Sequence, residues 1–241
     1  TDLQNLADVL LPLIIDKLSN NPEINSSLKI KTDPEVSDQK EDENSNDFEF
    51  RNMIKTLPLF LQLVAHSYAL KPNSDRKAKV RKIFDLLNQL LKRDLSQDKP
   101  NKPSNEQDNE NEDFKITKEH QEAKIFMNQR LLLSHFWKLV DVLPTCFDKQ
   151  FATDIICSFI SSIKDDKESL FDEKMKLLLA LSSKDIFWIN NPSKNKLNDM
   201  FTHILNLAIM KNNYNNDIFQ ILTGIMYSSN SRFIISFLPF L

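Results

Sequence analysis

Apolar residues recur along this chain at spacings of three and four, and no stretch alternates convincingly, so the pattern predicts helices throughout. Leu3, Leu6, Leu10, Leu13 and Ile14 mark one helix, and Met53, Leu57, Phe60, Leu61 and Val64 mark a second. Between residues 74 and 95, Val80, Ile83, Phe84, Leu87, Leu90 and Leu91 fall on one stripe about 120° wide at 100° per residue, the cleanest amphipathic pattern in the chain. Further helices are expected over 117–142, 146–163, 168–181, 193–210 and 216–227, and from 231 onward. Asparagines fall where helices should end: Asn20-Asn21, Asn73, Asn190-Asn191 and the KNNYNN of 211–216. Asparagine tolerates the left-handed backbone at a C-terminal cap and so takes over work usually done by glycine.

Gly224 is the only glycine. Phosphate-cradling loops, dinucleotide fingerprints and tight hairpins depend on glycine where φ is positive, so a sheet-based nucleotide enzyme is not expected.

Proline sits inside otherwise helical runs, where it removes a hydrogen bond and clashes with the carbonyl four residues back, at ~3 kcal/mol or more. The four instances are Leu11-Pro12, Leu57-Pro58, Leu143-Pro144 and Leu238-Pro239, with the prolines 46, 86 and 95 residues apart. These intervals are near one, two and two steps of the ~40–47-residue period of helical-pair repeats. DVLLPLIIDK from Asp8 and DVLPTCFDK from Asp141 also echo one another. In the run from Leu57-Pro58 through Asp75, Val80 and Arg81 to Ile83, Leu87 and Leu90, the chain resembles the HEAT-repeat family, whose first helix often carries a Leu-Pro start or kink and whose second follows an Asp-x-x-x-Val-Arg turn. The spacing from Asp75 to Val80 is one residue longer than the family's. The resemblance implies an all-α fold, a right-handed α-solenoid of HEAT-like antiparallel helix pairs; the chain is expected to be one domain over 1–241, a fragment of a larger protein, with two disordered acidic loops. Neighbouring repeats would bury the apolar face and tolerate the bent first helices. A non-repetitive helical bundle is the alternative.

The acidic loops are expected at 31–47, with seven acids against two lysines, and at 96–113, with six against two. Without their net charges of −5 and −4 the remainder stands at about +6, so the acidic balance belongs to the loops and the folded body is basic. Much of that charge falls between Lys71 and Arg93. On the helical wheel Arg81, Lys82, Lys92 and Arg93 lie opposite the Val80/Phe84/Leu87 stripe, and with Lys79 they form a candidate ridge for phosphate or an acidic partner. A solvated face with Arg81 paired to Asp85 is the plain alternative, and no aromatic residue interleaves to stack on bases.

Chemistry is otherwise sparse. Asp199 and His203 share a helix face with no third ligand, and Glu41, Asp42 and Glu43 lack the glycine turn of a calcium loop. His66 and His135 read as packed, hydrogen-bonded helix residues, and Cys146 and Cys157 as two buried thiols. Neither a catalytic site, a metal nor a cofactor is expected, and no small-molecule substrate. No apolar run reaches the ~18 residues of a membrane span. The expected role is a non-catalytic scaffold that binds other protein subunits in a large intracellular complex, nuclear rather than cytoplasmic. The alternative is an assembly factor on RNA or DNA, in pre-ribosomes or chromatin, that uses the ridge.

Overall fold

A computed structural model of the chain describes residues 2–25, 40–93 and 112–227, and these are all-helical. Nine helices are present among the described residues: α1 (Asp2–Ser19), α2 (Lys40–Leu70), α3 (Ser74–Lys92), α4 (Glu112–Cys146), α5 (Lys149–Ser162), α6 (Glu168–Ser182), α7 (Asp185–Trp188), α8 (Lys194–Lys211) and α9 (Asn215–Tyr227). The expected helix from 231 onward, with Pro239, lies outside them, as do 31–39 and 96–111 of the expected loops.

Four expectations are corrected. Residues 40–47 are not loop but the start of α2, because a run of acids at a helix N-terminus is favoured by the macrodipole. Residues 112 and 113 likewise open α4. Cys146 ends α4 rather than starting the next helix, since Asp148 caps α5 by accepting the Phe151 N–H at 2.8 Å. On α1 the inward face is Ala7, Leu11 and Leu18, whereas Leu6 and Leu13 of the expected stripe are exposed. That helix is apolar on two sides, and spacing alone cannot say which side is covered. The short α7 was not expected.

The helices pack in two series. Contacts run α1 to α3 to α5 to α8, and α2 to α4 to α6 to α9, with cross-contacts between α1 and α2, α4 and α5, and α8 and α9. At the centre Phe136 of α4 stacks on Phe159 of α5, and Phe84 of α3 meets both edge-on. All six residues of the α3 stripe are buried, as the wheel requires. Gln129 of α4 closes the C-terminus of α3 by donating to the Leu90 and Leu91 carbonyls at 2.8 and 3.3 Å. Asn212 ends α8 at φ 57° as expected, whereas Asn73 acts at the opposite end of a helix, capping the N-terminus of α3 from an extended backbone by accepting the Asp75 N–H at 2.9 Å.

Pro12, Pro58 and Pro144 all lie inside helices. Pro58 and Pro144 are buried, and each has a threonine close by in its helix. Thr56 Oγ1 donates to the Asn52 and Met53 carbonyls, and Thr145 Oγ1 to the Val142 carbonyl. Pro12 belongs to one series of helices and the other two prolines to the second, so the Leu-Pro pairs do not mark one equivalent position.

The single glycine is used for close approach. A Cβ on Gly224 of α9 would lie 2.5 Å from Ser182 Oγ and 3.2 Å from the Ser182 carbonyl carbon on α6. Ser182 has little room to retreat, because its hydroxyl donates to the Leu179 carbonyl and its own carbonyl accepts the Trp188 indole N–H at 3.0 Å. Gly224→Ala is therefore expected to destabilise the protein by ~1–3 kcal/mol despite alanine's better helix propensity. A urea melt checks this, and an unchanged midpoint would mean that α9 does not press on α6.

Candidate functional site

The basic segment is dispersed by folding. Arg76 is buried and grips Asp8 of α1 through Nε and Nη2 at 2.7 and 2.8 Å, so it serves the core. Lys77 reaches Asp148 of α5 at 2.5 Å, and Lys79 pairs with Asp75 at 2.6 Å. Burial pushes the Asp148 carboxyl up, but the Lys77 ammonium and the Phe151 N–H outweigh it and hold the group below its ordinary value. Arg81 is exposed and lies 5.0 Å from the Phe151 ring centroid instead of pairing with Asp85. Arg93 is the half-buried C-cap of α3. Lys82 and Lys92 remain exposed with no ion pair among the described residues, about 15 Å apart along the helix, with Asp85 and Gln89 between them. Of the five expected ridge residues, only Arg81, Lys82 and Lys92 share the open face.

An open groove of about 400 Å³ runs between α3 and α5, lined by Lys77, Arg81, Asp148, Phe151 and Asp154 among others. Lys77 pairs with Asp148 and Asp154 with Lys196 at 3.0 Å, while Arg81 lies against the Phe151 ring. Groove and ion pairs together hold α3, α5 and α8 in place.

A different surface has uncompensated chemistry. On α2, Phe48, Leu59, Leu63 and Leu70 keep one face at separations of 11, 4 and 7 residues, opposite the buried Leu57, Leu61 and Val64. Leu59 is 61% and Leu70 74% exposed. On α4, Met127 and Trp137 lie on an outer face that also carries Arg130 and Lys138, and Trp137 is 52% exposed. Gln62 Nε2 donates to the Lys138 carbonyl at 3.1 Å, which sets these two faces side by side. Arg51 and Lys55 on α2 and Arg130 and Lys138 on α4 are exposed, and none makes an ion pair among the described residues. Glu49 on α2 pairs with Lys17 at 3.0 Å and Asp141 on α4 with Lys184 at 2.8 Å. The result is a broad face of apolar side chains and free cations, with Lys138 Nζ 6.0 Å from the Trp137 ring.

Compared with family models, curated proteins and solved structures, the chain matches none.

Sequence reading missed this face, although a signal was present. A helix that already has one apolar stripe and carries a second at compatible spacing has something to cover on both sides. The remaining candidates are placed plainly. Asp199 and His203 are both exposed on α8. Among the described residues no group of three or more His, Cys, Asp or Glu could hold a metal ion, and no helix is long and apolar enough to cross a membrane. Cys157 is buried, and burial pushes its thiol up to about 12. Cys146 departs from expectation, being only half-buried and 3.6 Å from His66 Nδ1 on α2.

Proposed function

We propose that this chain is a non-catalytic scaffold, a right-handed HEAT-like α-solenoid segment of an intracellular assembly, which docks a partner protein on the outer face of α2 and α4. The two continuous series of helix contacts support the solenoid reading, because they are what stacked antiparallel pairs produce. One observation carries the docking assignment: Arg51, Lys55, Arg130 and Lys138 stand beside Leu59, Leu63, Met127 and Trp137 and make no ion pair among the described residues. Charge complementarity then specifies the partner as an acidic segment with apolar residues at helical spacing, which would bury the leucines and tryptophan and satisfy the cations. Aromatic and arginine side chains are the groups that most often dominate such interfaces.

The proposal is tested by selecting binders from a random 15-residue peptide library displayed on phage. Enriched peptides are expected to be rich in Asp and Glu with apolar positions three and four apart. Their affinity should fall at least about tenfold in Leu59→Glu or Trp137→Glu and weaken with salt, since exposed charges are screened within ~8 Å at physiological ionic strength. Lys82→Glu on α3 should leave it unchanged. Peptides without acidic enrichment, or binding lost in Lys82→Glu but kept in Trp137→Glu, would overturn the assignment.

A further inference from the structure

Cys146 and His66 meet at the seam between α2 and α4. Cys146 is the last residue of α4, and His66 lies in the final turns of α2, exposed to solvent. The Sγ to Nδ1 distance of 3.6 Å is a sulfur hydrogen bond, and the Thr145 hydroxyl oxygen lies 3.7 Å from the same sulfur. Thr145 spends its one proton on the Val142 carbonyl at 2.8 Å, so towards sulfur it can only accept. Thr145 Oγ1 and, with its ring proton on Nε2, His66 Nδ1 can both accept from the thiol, and of the two only the imidazole nitrogen is basic enough to take the proton away.

We propose that Cys146 is a site of reversible thiol–disulfide exchange with low-molecular-weight disulfides, with His66 as its proton acceptor. In the step His66 Nδ1 takes the proton from Sγ, and the thiolate attacks one sulfur of the incoming disulfide. The old S–S bond breaks, a new one forms to Cys146, and the second sulfur leaves as a thiolate that collects a proton from solvent or from the imidazolium. Helix polarity makes the dependence on His66 strong. Both residues lie near helix C-termini, whose negative partial charge opposes a bare thiolate and favours an imidazolium beside it. Cys157 provides the contrast within the same chain, since it is buried at 1% exposure among Ile155, Ile156, Phe159 and Ile160. The consequence for docking rests on the function proposed above: a glutathionyl group, with its two carboxylates, at this seam would compete with an acidic partner for the cations of α2 and α4.

The test treats the folded chain with glutathione disulfide and maps adducts by peptide mass spectrometry over time. Cys146 is expected to be modified at least about tenfold faster than Cys157. His66→Gln, which can hydrogen-bond but cannot accept the proton, should slow Cys146 about tenfold while circular dichroism stays unchanged. Because His66 is exposed, that variant is expected to fold, and Thr145→Val serves as a second, in which the rate should persist. Equal modification of both thiols in the folded chain, or an unaltered rate in His66→Gln, would overturn the proposal. Neither outcome depends on whether the α2–α4 face binds a partner.

Discussion

Phe159→Ala is expected to lower the stability of the fold by about 4 kcal/mol, the largest effect of any single truncation considered. The Phe159 ring stacks on Phe136 with centroids 3.5 Å apart and planes within 8°, and Phe84 stands edge-on to both at 6.1 and 5.7 Å. All three rings are essentially inaccessible to water. They come from α5, α4 and α3, so removal of one opens a cavity where the two helix series meet, and helices that long cannot collapse locally to fill it. Aromatic pairs of this kind add ~0.5–1.5 kcal/mol beyond their buried area. For a chain of this length the melting temperature should fall by roughly 10 °C. Phe159→Leu should recover more than half of the loss, because it restores most of the volume but no ring contact. A loss below about 1 kcal/mol in Phe159→Ala would mean that the cluster does not tie the two series together.

Arg76→Ala should cost about 3 kcal/mol. The guanidinium is buried and each of its three nitrogens has an acceptor: Nε and Nη2 on the Asp8 carboxylate, Nη1 on Ser67 Oγ at 3.2 Å and Nη2 also on the Gln4 carbonyl at 3.4 Å. One side chain therefore joins α1, α2 and α3. Breaking such a buried pair from one side commonly costs ~3–5 kcal/mol, and the lower end applies because Asp8 is half exposed and can rehydrate. Arg76→Lys should recover little, since an ammonium cannot hold both carboxylate oxygens and Ser67 together. Acid should weaken the same junction. The hydrogen bond from Arg76 holds the Asp8 carboxyl below its ordinary value, against the opposing effect of burial. Its contribution is thus complete above the ordinary carboxylate range and disappears as pH falls through the lowered folded value. Urea melts of wild type and Arg76→Ala should accordingly converge towards low pH, and a constant gap would contradict the assignment.

Most helices were legible in the sequence because α3, α5, α6, α8 and α9 each have one dominant apolar stripe, and Asn212 marks the end of α8, whereas the Asp148 cap that starts α5 was not read. Two kinds of information were not local. The first is which side of a doubly apolar helix is covered. Leu6 and Leu13 of α1 have the same spacing as Ala7, Leu11 and Leu18, and only packing against α2 and α3 decides between them. The candidate site depended on the same distinction, because Leu59 and Trp137 read as ordinary helix positions until their helices are laid side by side. The second is the pairing of charges. Lys71 to Arg93 is the densest basic segment of the sequence, but Asp8 and Asp148, far away along the chain, take up Arg76 and Lys77. The scattered Arg51, Lys55, Arg130 and Lys138 make no ion pair among the described residues. Proline misled for a related reason. Pro12 lies in one helix series and Pro58 and Pro144 in the other, so a proline inside a helix need not mark a repeat boundary.

The docking claim is tested most directly by the fluorescence of Trp137. Trp188, the other tryptophan, is buried and donates its indole N–H to the Leu181 and Ser182 carbonyls, so quenching by acrylamide reports chiefly on Trp137. Titration with an acidic peptide from the selection should shift the emission to the blue and protect it from acrylamide, with both changes lost in Leu59→Glu. A peptide that binds with unchanged affinity to Leu59→Glu, and leaves the emission and quenching of Trp137 as they were, would contradict the assignment of the α2–α4 face.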